Sequence, residues 1–202
     1  MYKLYDFLPS GNAYKVRLLL TQLQISFELI EINPLKKETR TDEFLQINPN
    51  GKIPVLEIAP NKFISESNAI LYYLSQETEY FPQDKYQQAE VMQWLFFEQF
   101  SHEPNIATPR FWISILNQPD KYQAQIKQKQ QLGYAALTVM EQHLKNHDFL
   151  VADQYTIADI GLYAYTHVAD EGGFDLTKFP AILAWLKRIQ SQPRQILITD
   201  KC

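Results

Sequence analysis

The sequence of 202 residues is short of cysteine and of long apolar segments. Its only cysteine is Cys202, so the chain has no partner for an intrachain disulfide, no Cys-rich metal site and no Cys-x-x-Cys redox pair. No uninterrupted apolar stretch reaches the roughly 18 residues that a membrane-spanning helix needs. Any sulfur chemistry must therefore use a sulfur atom that another molecule brings.

An excess of positive charge is also missing. Lys and Arg total 19 against 23 for Asp and Glu, which gives a net charge of -4. Nucleic-acid binding and adhesion to an anionic membrane both need clustered cations. Asp6 lies where a signal peptide would have its apolar segment. We therefore expect a cytoplasmic protein that binds neither nucleic acid nor membranes.

The first 80 residues contain alternating strand and helix patterns. Val16, Leu19 and Leu23 have the spacing that places apolar side chains on one face of a helix. Predicted strands cover residues 2–7, 27–32, 54–58 and 62–64, and further helices are predicted at 42–47 and around Ile70. The order βαβ followed by ββα predicts a small sheet with helices packed on it.

Beyond residue 80 the strand patterns fade and helical periodicity replaces them. The stretch from Thr78 to Asp84 contains Pro82 and is predicted to be a linker. Helical patterns follow from about Lys85, around Leu132, after Ile157 and around Trp185. The second part is therefore predicted to be an all-helical bundle.

Two polar motifs precede predicted helices, and each allows two interpretations. Ser10 and Asn12 follow the first strand, and Glu66 and Ser67 precede the Ile70 helix. Such residues commonly cap helices. The same helix starts present unpaired N–H groups that hold anions, and Glu66 could receive an ammonium, so a zwitterionic amino-acid head would fit the second motif.

Two other features are assigned no chemistry. Thr156 and Asp159 have the spacing of a reciprocal helix cap, so we assign them to folding. Among the four histidines, His143 and His147 are four residues apart, which favours a surface pair over a metal site. We expect no bound metal.

Taken together, the motifs match a known family in order and spacing. Over essentially its whole length the sequence resembles a cytosolic glutathione transferase of the bacterial type with a serine and an asparagine in its active site. The matching stretches are residues 10–18, 48–56, 66–74 and 156–159. The resemblance implies a thioredoxin-like α/β domain over residues 1–78 and an all-helical domain over residues 85–202.

The resemblance also implies a role for each matching residue. Glutathione is the co-substrate, and no cofactor is permanently bound. Ser10 occupies the thiol-activating position, and Asn12 assists it. Ile53 precedes Pro54, a cis-proline in the family, and presents its backbone to the cysteinyl portion. The γ-glutamyl end of glutathione binds at Glu66 and Ser67, and the glycyl carboxylate binds at Lys52, with Asn50 as a weaker neighbour.

Tyr5, in the first strand, is a rival for the activating hydroxyl. Ser10 is preferred because the dipole of the following helix can help it. Lowering a thiol pKa of about 8.5 by two units requires about 2.7 kcal/mol. One hydroxyl hydrogen bond to the anion, about 1.5–3 kcal/mol, together with a helix N-terminus is enough.

The second substrate is expected to be a small hydrophobic electrophile held between the two domains. Its candidate contacts are Phe7, Leu8, Phe97, His102, Pro109, Arg110, Phe111 and Trp112. Plain core packing explains these side chains equally well. A homodimer is expected from the family, with Phe63, Tyr72 and Tyr73 as possible contacts.

Two alternatives to a detoxifying transferase remain. One is glutathione-dependent reduction of disulfides or peroxides, which the serine and asparagine arrangement also permits. The other is a non-catalytic scaffold of the same fold, against which the joint presence of Ser10, Lys52, Glu66 and Ser67 argues.

Overall fold

The computed structural model describes residues 1–201, and Cys202 lies outside the described residues. The described chain forms two compact units, residues 1–76 with residues 193–201, and residues 77–192. The first contains a sheet with helices and the second is built from helices, which confirms the predicted fold class. Residues 193–201, which the sequence analysis assigned to the helical domain, lie in the first unit instead.

A mixed sheet forms the centre of the first unit. Its strands are β1 (Tyr2–Asp6), β2 (Phe27–Glu31), β3 (Val55–Ala59) and β4 (Lys62–Ser65), in the spatial order β2-β1-β3-β4. Strand β1 is parallel to β2 and antiparallel to β3, and β3 is antiparallel to β4. The fully buried Leu4 pairs with Leu29 on one side and Leu56 on the other. A parallel pair needs a crossover, which the first helix supplies.

Three helices accompany this sheet: α1 (Gly11–Gln22), α2 (Asp42–Ile47) and α3 (Ser67–Ser75). Two short 3-10 turns, Pro34–Lys36 and Glu38–Arg40, were not predicted. The Asn33 side chain stabilises the first of them by accepting from the backbone N–H groups of Leu35 and Lys36. Turns of this kind depend on local hydrogen bonds and leave no periodic pattern in the sequence.

Helix α1 buries two cations completely, Lys15 and Arg17. The Arg17 guanidinium forms an ion pair with Asp6, which is also fully buried. It donates further to the backbone oxygens of Leu8, at 3.0 Å, and Ile198, at 2.8 Å. A buried charge is tolerated when it is paired and hydrogen-bonded, and Arg17 meets that condition by joining the end of β1, the following loop and the C-terminal segment.

The C-terminal segment, residues 193–201, is hydrogen-bonded to α1 and forms an ion pair with β2. The Tyr14 hydroxyl donates to the Ile196 oxygen at 2.8 Å and accepts from Gln195 Nε2 at 3.0 Å. Lys201 pairs with Glu31 at 3.3 Å on the surface. The first unit is therefore assembled from both ends of the chain.

The helical unit contains five long helices. They are α4 (Lys85–Phe97), α5 (Glu103–Arg110), α6 (Gln123–Leu144), α7 (Ile157–Thr166) and α8 (Pro180–Gln190). Wider π-helical turns, Glu98–His102 and Phe111–Ile115, flank α5. Helix α7 is buried along its whole length, and Trp185 of α8 packs on its Tyr163 with ring centroids 6.2 Å apart. The core of this unit therefore centres on α7.

The buried face of α6 differs from the face that its apolar pattern suggests. Leu132 and Val139 are 48% and 49% exposed, whereas Gly133 and Met140, one position further along, are buried. A Cβ atom at Gly133 would lie 2.6 Å from the Phe174 ring, so this contact requires glycine. An apolar periodicity cannot predict the contact between Gly133 and Phe174, because glycine adds no apolar side chain to the pattern.

The predicted linker between Thr78 and Asp84 packs within the helical unit. Tyr80 and Phe81 are buried, and the Tyr80 ring contacts Tyr155 with centroids 5.8 Å apart. The backbone carbonyl oxygen of Tyr80 also accepts from the Ile157 N–H at the start of α7. Two aromatic side chains gain more from burial than from exposure, so a segment that contains them is held against the core.

The predicted cap at Thr156 and Asp159 is confirmed. The Thr156 hydroxyl accepts from Ala158 N, and the Asp159 carboxylate accepts from Thr156 N at 2.9 Å. Asp159 is fully buried and also accepts from Leu150 N at 3.0 Å and from Trp185 Nε1 at 2.8 Å. One carboxylate therefore ties the loop before α7, the start of α7 and helix α8 together.

Within residues 1–201 no helix combines the length and the apolar character needed to cross a bilayer.

Replacing Asp159 by Ala should destabilise the helical unit strongly. Three buried N–H donors would lose their acceptor, and each unsatisfied donor costs about 1–3 kcal/mol, so we expect a loss of at least about 3 kcal/mol. Urea unfolding followed by circular dichroism measures this free energy. Thr156→Ser, which keeps the capping hydroxyl, is the control and should lose less than about 1 kcal/mol. A loss below about 1 kcal/mol for Asp159→Ala would contradict the role of this carboxylate.

Candidate functional site

Ser10 caps the N-terminus of α1. Its hydroxyl oxygen accepts from the backbone N–H of Ala13 at 3.3 Å, and its own N–H donates to the Phe7 oxygen at 2.7 Å. A serine hydroxyl has one proton and two lone pairs, so an oxygen that accepts from the helix can still donate its proton to an anion. The capping and anion-binding interpretations of Ser10 are thus compatible.

Asn12 and Ser67 meet although they are 55 positions apart. The Ser67 hydroxyl donates to Asn12 Oδ1 at 3.2 Å. The ammonium of the fully buried Lys15 donates to Ser67 Oγ at 3.3 Å and to Asn68 Oδ1 at 3.4 Å. The first turn of α1 and the first turn of α3 therefore share one polar cluster, made of Asn12, Lys15, Ser67 and Asn68.

Sequence analysis missed Lys15. A lysine is usually exposed, and the apolar pattern of α1 predicts a helix without indicating that Lys15 is buried. In the structure Lys15 lies in a run that is buried at every position from Ala13 to Leu20, and the sequence alone does not show this burial. A cation inside such a run needs polar partners, and here α3 supplies them.

Glu66 precedes α3 and turns the chain into it. Its φ angle of 69° lies in the left-handed region, which costs a residue other than glycine about 1–3 kcal/mol. Glu66 is exposed and Ser67, the next residue, is buried. The carboxylate is thus accessible beside the polar cluster, and strain of this kind is concentrated at functional sites.

The second stretch of the predicted site forms a tight turn before β3. The Asn48 side chain donates to the Lys52 oxygen at 2.7 Å and accepts from Asn50 N at 3.1 Å. The Ile53–Pro54 peptide bond is cis. Lys52 and Ile53 line a cavity of about 650 Å³ that also contacts Pro34, Lys37, Thr39, Arg40 and Gly51. The turn therefore brings two of the predicted glutathione contacts to one cavity.

This cavity adds two cations, Lys37 and Arg40, to the predicted Lys52. Arg40 Nη1 donates to the Asn50 oxygen at 3.0 Å. Gly51 has a φ of 62°, and a Cβ atom there would lie 2.2 Å from Arg40 Nη1. Neither cation was predicted, because an exposed lysine or arginine in a loop has no distinguishing sequence pattern.

Tyr5 is engaged on the sheet. Its hydroxyl donates to Glu57 Oε2 at 3.3 Å, and its ring makes edge contacts with Phe44 and Phe63 at 6.3 Å. Burial, and then the negative charge of Glu57, raise the pKa of this phenol above its usual value. Tyr5 therefore already directs its proton to an acceptor within the protein.

The residues predicted to contact the electrophile divide between the units. Phe7 and Leu8 follow β1, Phe97 ends α4, and the other candidates lie on α5 or in the π-helical turns that flank it. His102 is fully buried, and its Nε2 lies 2.9 Å from Thr166 Oγ1. Arg110 is buried and pairs with Glu171 at 2.7 Å. Phe111 is exposed, and the next residue, Trp112, stacks on Tyr122 with ring centroids 4.7 Å apart. The Phe97 ring packs on Trp94. Pro109 is buried in α5.

His143 and His147 stack on each other with ring centroids 4.5 Å apart. Burial, and then His147, lower the pKa of His143, and His147 pairs with Asp153 at 3.3 Å on the surface. In residues 1–201 no group of three or more His, Cys, Asp or Glu side chains has the arrangement of a metal site.

Two family models match the chain. One, described as the N-terminal domain of glutathione S-transferase, matches residues 1–76, and the other, described as the C-terminal domain, matches residues 104–193. Together they cover most of both units.

Individual relatives agree with these matches. A crystal structure of a glutathione S-transferase from Pseudomonas fluorescens is 46% identical with a TM-score of 0.97, covering 98% of this chain and 99% of that one. Yeast Ure2p in complex with glutathione is 26% identical with a TM-score of 0.85, covering 96% and 95%. The disulfide-bond oxidoreductase YfcG of Escherichia coli is 29% identical over 93% of this chain and 89% of its own.

Both units thus match the same family in sequence, and the whole chain matches it in fold. The chain belongs to the glutathione S-transferase family.

Proposed function

We propose that this protein is a glutathione transferase of the serine and asparagine type, which holds the thiol of glutathione as a thiolate for attack on hydrophobic electrophiles. The observation that carries the proposal is the hydrogen bond from Ser67 Oγ to Asn12 Oδ1 at 3.2 Å. It brings the helix start proposed to activate the thiol next to the helix start proposed to hold the γ-glutamyl end. The complex of the relative Ure2p with glutathione supports the same ligand.

Thiol activation is assigned to Ser10, with Asn12 assisting. The unperturbed thiol has a pKa of about 8.5 and is only a few per cent ionised at neutral pH. A hydroxyl hydrogen bond to the anion contributes about 1.5–3 kcal/mol, and the positive end of α1 adds about 0.3–1 kcal/mol. The sum corresponds to a pKa lowered by about two units. The engagement of Tyr5 with Glu57 supports Ser10 as the activating hydroxyl.

The remainder of the peptide is proposed to bind along the first unit. Glu66 receives the γ-glutamyl ammonium, and the first backbone N–H groups of α3, that of Ser67 included, receive the adjacent carboxylate. The backbone of Ile53, before Pro54, binds the cysteinyl portion. Lys52, with Asn50 beside it, attracts the glycyl carboxylate, and the cavity that Lys52 and Ile53 line supports this assignment.

For the electrophile we retain the candidates of each unit separately. Phe7 and Leu8 in the first unit and Phe111 and Trp112 in the second offer apolar and aromatic surface to a hydrophobic compound. His102 and Arg110 remain in the proposal, and their contacts with Thr166 and Glu171 would fix their orientation. The reaction itself transfers the sulfur anion to an electrophilic carbon, and the displaced group leaves with the bonding electron pair.

Reduction of disulfides is the second candidate function. It is favoured by the similarity to YfcG, a relative named as a disulfide-bond oxidoreductase. The same thiolate would attack a disulfide sulfur and release a thiolate as the leaving group. Peroxide reduction and a non-catalytic scaffold are further possibilities for this fold.

The proposed assembly is a cytoplasmic homodimer without a permanently bound cofactor. Exposed aromatic side chains support self-association. Tyr72 and Tyr73 of α3 are 44% and 40% exposed, and Phe96 and Phe100 in and after α4 are 66% and 87% exposed. Each pair belongs to one unit, and exposed apolar side chains that are neighbours on a surface usually mark an interaction site.

Replacing Ser10 should raise the pKa of the enzyme-bound glutathione thiol by about one to two units, because a hydrogen bond of about 1.5–3 kcal/mol to the anion is lost. The bound-thiolate absorbance against pH, at saturating glutathione, gives this pKa. Ser10→Gly separates the loss of the hydroxyl from the loss of the helix cap, since glycine caps a helix within a few tenths of a kcal/mol of serine but has no hydroxyl. Ser10→Ala should give the same pKa with lower stability. If Tyr5→Phe alone raises the pKa, the assignment to Ser10 is wrong.

Activity on two compounds distinguishes the candidate functions. We expect faster turnover of glutathione with a chloronitroaromatic compound than with a hydroxyalkyl disulfide, and a decrease of both activities in Ser10→Gly. If the protein turns over only the disulfide, the transferase proposal is wrong and the reductase proposal is supported. If glutathione fails to bind at millimolar concentration, the scaffold is favoured and the enzyme proposal is rejected.

The mass in solution tests the dimer. Light scattering should give twice the 23.7 kDa of one chain. Replacing Tyr72 and Tyr73 together by Glu should shift the protein toward the monomer, because two charges would enter an apolar contact. Leu132→Glu, at an exposed position of α6, is the matched control and should remain dimeric. A monomeric wild-type protein would refute the dimer.

A further inference from the structure

The polar cluster around Lys15 has a fixed hydrogen-bond direction. A lysine ammonium has three N–H donors and no acceptor. Lys15 Nζ lies 3.3 Å from Ser67 Oγ, so the Ser67 oxygen accepts from it. The hydroxyl proton of Ser67 then points to another acceptor, which is Asn12 Oδ1 at 3.2 Å.

The same direction continues through the side chain of Asn12. An asparagine amide has one oxygen that accepts and one nitrogen that donates. With Oδ1 facing Ser67, the Nδ2 group is turned to the opposite side of the amide. Asn12 belongs to the first turn of α1, where Ser10 caps the helix. With Oδ1 engaged by Ser67, Nδ2 is the atom of this amide that can hydrogen-bond an anion, because an N–H group donates and a carbonyl oxygen does not.

Burial makes this arrangement persistent. Lys15 is fully buried and Ser67 is 4% exposed, so water has little access to the hydrogen bond between these two side chains. Lys15 also donates to Asn68 Oδ1 at 3.4 Å, which holds the ammonium against the first turn of α3. Hydrogen bonds in such surroundings are electrostatically stronger than in water and polarise one another.

We propose that Lys15 is a positioning residue for the thiol-activating site: through Ser67 it orients the amide of Asn12 so that Nδ2 donates to the glutathione thiolate. This inference rests on the proposed function, because it assigns the orientation of the same site. It also links the two ends of the peptide. Ser67, proposed to bind the γ-glutamyl carboxylate, is the middle member of the chain that ends at the thiol.

Replacing Lys15 by Met tests the proposal, since methionine fills a similar volume without a donor. The pKa of the bound glutathione thiol should rise by about one unit, a tenfold change in the ratio of thiolate to thiol. The measurement is thiolate absorbance against pH at saturating glutathione, so that weaker binding does not mask the effect. Lys62→Met, which removes an exposed cation of the same unit, should leave the pKa unchanged.

A double-mutant cycle distinguishes a relay from direct attraction between charges. If Lys15 acts through Ser67, the double variant of Lys15→Met and Ser67→Ala should show the same pKa shift as Ser67→Ala alone. Additive shifts would overturn the relay, because they mean that Lys15 acts on the thiolate independently of Ser67. Asn12→Asp, which keeps an acceptor for Ser67 but has no N–H donor, should raise the pKa at least as much as Lys15→Met.

The outcomes separate this inference from the function on which it rests. A wild-type protein that binds glutathione with a lowered thiol pKa, together with Lys15→Met of unchanged pKa, overturns the relay and leaves the transferase proposal standing. A wild-type protein that does not bind glutathione overturns both. If Lys15→Met does not fold, Ser67→Ala breaks the same chain at its next link, and an unchanged pKa in that variant refutes the relay.

Discussion

Two buried cations on one helix constrain the first unit more than any other feature. Lys15 and Arg17 are both fully buried in α1, and a charge removed from water must be paired or hydrogen-bonded. Arg17 meets this requirement with Asp6 and with backbone oxygens on either side of it, and Lys15 meets it with the first turn of α3. Helix α1 can therefore take one orientation on the sheet, and the candidate thiol site at its N-terminus takes its geometry from that orientation.

Much of this fold was predictable from local patterns. Apolar spacing and turn residues identified β1, α1, β2 and the hairpin, and even the short helix Asp42–Ile47 was predicted with its observed limits. The place of the C-terminal segment was not predictable from a pattern, because Tyr14 and Arg17 contact it through the backbone oxygens of Ile196 and Ile198, and every residue has such an oxygen. The buried face of α6 was also not predictable, since Gly133 packs against Phe174 through its missing side chain.

Some residues of the candidate site were also predictable from the sequence, and others were not. The family resemblance and the capping motifs identified Ser10, Asn12 and Ser67, and the hydrogen bond between Ser67 and Asn12 joins two motifs that the sequence separates by 55 positions. Lys15 escaped prediction because a lysine in a helix is usually solvated, and its function depends on α3, which is distant in sequence. The cations beside Lys52 escaped because exposed loop residues have no characteristic spacing. The site residues at helix starts were predictable from the sequence, and those placed by tertiary packing were not.

The C-terminal segment has a consequence for how the protein is made. Ile198 supplies a hydrogen-bond acceptor to Arg17, which is buried in a helix that begins at residue 11. A ribosome synthesises α1 before residue 198, so the Arg17 guanidinium gains this acceptor only after residue 198 has emerged. The helical unit, continuous from residue 77 to 192, has no such delay once it has emerged. The final packing of the first unit therefore requires that the whole helical unit between its two segments has been synthesised.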